Sequence, residues 1–137
     1  MSMRTFLKTA PFLLLVAFLS SPATAQNWNC DDPQVQQEMN YCAEQEWKEA
    51  DRRLNAEYRK ARAAMQNLDD VMPEGQKGAA VALRDAQRAW ITFRDKACEA
   101  EGWLFRGGTM EPLIYWTCMS SLTEQRTKSL EVLSEMN

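Results

Sequence analysis

No histidine occurs in the 137 residues, which removes the side chain best suited to general acid–base work near neutral pH. No Cys-x-x-Cys pair is present to begin an all-cysteine zinc site, and without histidine the mixed sites are closed as well. A Gly-x-Ser-x-Gly nucleophile elbow and a phosphate-binding loop are also missing, so acyl and phosphoryl transfer find no familiar motif. Acidic pairs do occur, at Asp31-Asp32 and Asp69-Asp70, but each adjoins an expected helix end or turn, where capping and solubility explain it. Hydrolysis by two cleft carboxylates therefore ranks last, and the chain is expected to work without cofactor, metal or catalytic residues. No alternating strand pattern and no glycine-rich repeat appears. The longest apolar run, Ala10 to Leu19, is about ten residues, against roughly 20 needed to cross a bilayer.

That short run has the setting of an export leader. Arg4 and Lys8 precede it, and Ala23-Thr24-Ala25 supplies the small residues of a cleavage site. Residues 1–25 are accordingly read as a signal peptide and residues 26–137 as one helical domain, since removing 25 of 137 residues leaves 112. Cys30 follows Asn27-Trp28-Asn29 rather than the apolar run, which argues against a lipid-modified cysteine. Loss of Arg4 and Lys8 leaves 14 basic residues against 19 acidic ones, a net charge of −5. A mildly acidic domain is a poor binder of nucleic acid or anionic membrane, but it attracts a basic partner.

The apolar residues that follow are spaced for helices. Met39, Ala43, Trp47, Ala50, Leu54, Tyr58, Ala61, Met65 and Leu68 fall at gaps of three or four, one face of an α-helix. Asp31-Asp32-Pro33 reads as its start, and Asp69 through Gly75 as its end. A second stripe, Ala79, Leu83, Ala86, Trp90, Phe93, Ala97 and Ala100, has near-heptad regularity, which predicts lengthwise packing on another helix. A third helix is expected from about Pro112, with Leu113, Trp116, Met119, Leu122, Leu130 and Leu133 facing inward. The fold class expected is all-α: a small three-helix, up-down-up bundle stapled by two disulfides.

Antiparallel packing about a turn near residue 70 would set Trp47 opposite Phe93, Ala50 opposite Trp90 and Leu54 opposite Ala86, so that small meets large. A second turn near Gly107-Gly108 would bring Arg126 into the layer of Ala50 and Trp90. Arg126 lies on the apolar stripe between Leu122 and Leu130, and an unpaired buried ion costs several kcal/mol. Asp51 is the expected counter-charge and Asn55 completes a structural polar layer. The competing arrangement has Arg126 extend to solvent over an aliphatic patch.

Cys30, Cys42, Cys98 and Cys118 all survive leader removal, and an even count in an exported chain favours two disulfides. Three connectivities are possible. Sequential pairing closes two short loops, whereas a Cys42–Cys98 staple suits straight helices. The segment Glu101 to Thr109 holds Trp103, Phe105 and Arg106 and is long for a bundle connection. Trp103 and Phe105 are expected to close the end of the small core; the competing reading is a binding surface, where tryptophan and arginine are enriched. Arg106, beside Gly107-Gly108, is expected to be exposed.

Several stretches together resemble the LprI-type lysozyme inhibitor family of exported bacterial proteins. They are Cys30; Gln37-Glu38-Met39-Asn40 leading to Cys42; Ala50-Asp51 with Leu54-Asn55 and Tyr58; Gln87-Arg88-Ala89-Trp90; Phe93-Arg94-Asp95 with Cys98; and Cys118 with Leu122-Thr123 and Arg126. The resemblance implies an α-helical periplasmic or surface domain, and lysozyme inhibition for the family's namesake. The link between Cys98 and Cys118 departs from compact members, so loop-borne properties transfer least; the matched residues carry architecture and not an inhibitory contact, because the motif is not one of an interface. A charge of −5 would speed association with a basic lysozyme, whose cleft holds two carboxylates. Arg106 and Thr109 are the candidate partner contacts. The alternative is a structural or interaction protein of the cell envelope with no effect on lysozyme.

Overall fold

The computed structural model describes residues 28–136; the expected leader, residues 1–25, lies outside them. Three helices run α1 (Gln36–Val71), α2 (Ala79–Gly102) and α3 (Glu111–Glu135), with single 3-10 turns at Glu74–Gln76 and Trp103–Phe105. Among the described residues there is no strand, and no helix is long and apolar enough to cross a membrane. Cross-chain contacts fix the topology. Asn40, Trp47 and Arg53 of α1 meet Thr109, Trp116 and Glu124 in ascending order, so α1 and α3 run parallel. Arg126 meets Gln87 while Cys118 meets Cys98, so α2 runs against α3. This is the up-down-up bundle.

Two disulfides join Cys30 to Cys42 and Cys98 to Cys118, which is the sequential pairing. The first explains a correction at the start of α1. Closing a separation of only 12 residues turns the 30–35 segment back along the helix, and α1 begins at Gln36 rather than at Asp31-Asp32-Pro33. Val35 occupies the cap position without a side-chain bond, and Glu38 reaches back past it to accept from the Gln34 N–H at 2.8 Å, which ties the preceding segment to the first turn.

Asp69 does cap a helix, but the next one. Its carboxylate accepts from the N–H groups of Gly78 and Ala79 at 2.8 Å and of Ala80 at 3.0 Å. These are amides of the first turn of α2 that have no intrahelical partner. Gly78 permits the approach with φ +138°, a conformation L side chains rarely adopt. The bonds from Ala80, Gly78 and Ala79 lower the Asp69 pKa from its ordinary value. A carboxylate with a depressed folded pKa stabilises above its unfolded value of about 3.9, and that contribution fades as pH falls through the folded pKa. Asp69→Ala should therefore lower the urea midpoint at pH 7, with the gap to wild type closing as the buffer is taken below about pH 4. An equal gap at acid pH would show that the ionised cap is not the cause.

The interior consists of two apolar clusters. Leu54, Ala61, Leu83 and Leu130 form one, with Tyr58, Met65, Trp90 and Leu133 against it. Cys98, Cys118 and Met119 form the other, with Trp47, Tyr115, Trp116 and Leu122. The α1 and α3 stripes expected from spacing face inward. The α2 stripe does so only in part: Leu83 is buried and Ala79, Trp90 and Ala97 are partly buried, but Phe93 is 60 % exposed and Ala86 and Ala100 are also exposed, while Gln87 and Arg94 are buried. The buried line is Leu83, Gln87, Trp90, Arg94 and Cys98. Two polar residues take core positions because they find partners there.

Candidate functional site

Arg94 is the centre of the polar layer. Its guanidinium donates to Asp95 Oδ1 at 2.9 Å, Asp51 Oδ1 at 3.3 Å and Thr123 Oγ1 at 3.5 Å. It also stands 5.1 Å from the Trp90 ring centroid and 5.9 Å from that of Trp47, within cation–π range. Trp47 stacks on Trp116 at 4.8 Å, and Tyr115 meets Trp116 edge-on, so one chain of rings and charge crosses all three helices. Asn55 donates to the Asp51 carboxylate and carbonyl, both at 2.8 Å.

Arg126, expected on Asp51, donates to Gln87 Oε1 at 2.9 Å instead. Burial lowers its pKa from the ordinary value, and a guanidinium still keeps its proton. The sequence register failed because the first connection is centred on the Glu74–Gln76 turn and not near residue 70. That shift slides α2 along α1 and delivers Arg94 to Asp51. Arg94 does not register in a stripe drawn from apolar residues alone. Its position four residues after Trp90 and four before Cys98 was the available signal.

The surface-facing candidate lies at the α2–α3 end. Trp103, Leu104 and Phe105 are 57, 81 and 38 % exposed, and Met110 is 40 % exposed. This corrects the expectation that Trp103 and Phe105 close the core. The reason is local: α2 continues through buried Gly102 to pack on Glu111 and Tyr115. Gly102 is buried there beside Glu111 and Tyr115, and the next three residues turn outward. Arg106 is exposed as expected, but it is held: its guanidinium lies 4.5 Å from the Trp103 ring centroid and donates to Glu111 Oε1 at 2.8 Å. Glu111 Oε2 also accepts from the Gly107 N–H at 2.8 Å, and Gly107 takes φ +78° to present it. The Gly107 amide and then Arg106 lower the Glu111 pKa. Thr109 is exposed, and its carbonyl accepts from Asn40 Nδ2 at 3.0 Å, which ties the tip to α1.

The arrangement is a disulfide-stapled three-helix bundle with a braced, exposed apolar tip at the α2–α3 end. It defines the class as a small all-helical, disulfide-bonded domain. The family model described as Lysozyme inhibitor LprI matches residues 29–130, and the chain belongs to that family. It is 41 % identical over 131 residues to Uncharacterized protein R02472 of Rhizobium meliloti (strain 1021), covering 92 % of this chain and 94 % of that protein. A crystal structure of a DUF1311 family protein from Pseudomonas putida KT2440 shares the fold, with a TM-score of 0.63, 20 % identity, and coverage of 80 % of this chain and all of the other.

Proposed function

We propose that the protein is a non-enzymatic binding protein acting outside the cytoplasm, which occludes a lysozyme and so protects peptidoglycan. Residues 1–25 would serve as its leader, removed near Ala25/Gln26 on passage to the periplasm. Membership of the LprI family supports the partner class, and two disulfides suit an oxidising compartment. The observation that carries the reading is the tip. Three adjacent apolar residues held in the open by Gly107, Glu111 and Asn40 form a preordered contact surface, and preordering reduces the entropy lost on docking. Tryptophan and arginine are the residues most enriched at binding hot spots. A net charge of −5 for residues 26–137 (14 basic, 19 acidic) would steer a basic enzyme toward this surface.

In a turbidity assay on peptidoglycan, mature protein in micromolar excess should slow a basic lysozyme. Leu104→Asp and the Arg106→Ala/Thr109→Ala pair should each weaken inhibition by at least about tenfold, the loss expected at a hot spot. Full lysis in the presence of wild-type protein would leave the envelope interaction protein as the reading. Inhibition that survives both sets of changes would move the contact off the tip.

A further inference from the structure

Beside the tip, with Arg106 in common with the apolar patch, lies a pocket of about 340 Å³. Tyr115, Trp116 and Pro112 give it apolar walls, and Glu99 and Glu111 stand at its margin with Arg106. The lining therefore carries two carboxylates against one guanidinium. Arg106 is committed on both sides, to Trp103 by stacking and to Glu111 by hydrogen bonding. Glu99 pairs with Lys96 at 2.6 Å, but both side chains are at least half exposed. Such a pair contributes little and gives way to a better-placed cation. Aromatic faces next to ionised carboxylates are the composition that holds an alkylammonium group: the ring supplies a negative face and the carboxylate a counter-charge. Anionic ligands meet a net negative rim, and neutral ones leave the carboxylates unused.

We propose that this pocket receives a lysine side chain presented by a basic partner protein, its aliphatic stem along Tyr115 and Trp116 and its ammonium at Glu99 and Glu111. The proposal deepens the inhibitor reading and rests on it for the identity of the partner. Continuity favours a protein over a free amine. The pocket and the exposed Trp103–Leu104–Phe105 surface share Arg106 as a common wall, so one docking surface would cover both. Glu99 is the more open of the two carboxylates: an incoming ammonium would replace Lys96 in its half-exposed pair, whereas at Glu111 it would share a carboxylate already engaged by Arg106 and the Gly107 amide.

The test reads the pocket without lysozyme. Mature protein labelled with nitrogen-15 is titrated with N-acetyl-lysine methylamide, with N-acetyl-norleucine methylamide as the neutral counterpart. Shifts confined to the amides of Glu99, Gly102 and Glu111 and the indole of Trp116 are expected with the lysine derivative only. Glu99→Gln should weaken them roughly threefold, the range of a surface cation contact. Glu99→Lys should abolish them, and neither change touches the Glu111 bracing of the tip. Equal shifts from the norleucine derivative, shifts unchanged in Glu99→Lys, or no shifts here at all would overturn the proposal. Lysine binding together with failure to inhibit lysozyme would keep the pocket and remove the enzyme as partner. Inhibition by a protein whose pocket ignores lysine would do the reverse.

Discussion

Replacing Arg94 by alanine is expected to destabilise the protein by about 2–4 kcal/mol, from the gap left by a buried side chain and the charged hydrogen bonds lost with it. The side chain is 8 % exposed and lies between Trp90 and Trp47, so its loss leaves a gap as well as an unanswered Asp51. Two further variants separate these causes. Arg94→Met keeps most of the volume and should recover part of the loss. Arg94→Lys keeps the charge but not the planar fork that serves Asp95, Asp51 and Thr123 together, and should recover part of it differently. Asp51→Asn should cost less than Arg94→Ala, because Asp51 is 34 % exposed and solvent screens its share. Urea midpoints with unchanged slopes would give the ranking. An Arg94→Ala midpoint within experimental error of wild type would mean that the polar layer contributes specificity and no stability.

Converting Cys98 and Cys118 together to serine should cost about 3 kcal/mol from the unfolded chain's regained freedom, given a separation of 20 residues. Burial adds to this, since Cys98 is fully buried and Cys118 nearly so within an apolar cluster, and two hydroxyls there would need partners. The same bond closes the base of the segment that carries Trp103 to Met110, so the variant should also lose affinity for any partner docked at the tip. The Cys30–Cys42 pair is different because Cys30 is exposed. Under limited reductant followed by alkylation, mass spectrometry should find Cys30 and Cys42 modified well before Cys98 and Cys118, as access governs attack by a thiolate. Simultaneous modification of all four would indicate that the bundle opens as a unit before either bond is reduced.

The functional consequence of the fold is a division of labour along the axis. The Arg94 layer and its two flanking apolar clusters make a rigid body, while the second disulfide, Glu111 and the Asn40–Thr109 bond hold a three-residue apolar tip and an acidic, aromatic pocket at one end. A scaffold of this kind can block an enzyme without performing any chemistry. The affinity would come from ordering done in advance by the fold.

The inward faces of α1 and α3 were readable from residue spacing, because a period of three to four is imposed by the backbone itself; helix count, topology and the exposure of Arg106 were readable from the proline and glycine signals between the stripes. The four cysteines announced two bonds, but their partners were a matter of three-dimensional reach. Tertiary structure alone decided the face of α2. Gln87 and Arg94 are buried there because Arg126, Asp51 and Thr123 come from other helices to meet them, and no local pattern of polarity records a partner some 29 to 43 positions away. It likewise turned Trp103 and Phe105 outward, directly after the buried Gly102 that ends α2. Periodicity fixes which residues can share a side of a helix; only the packed neighbours determine which side is covered.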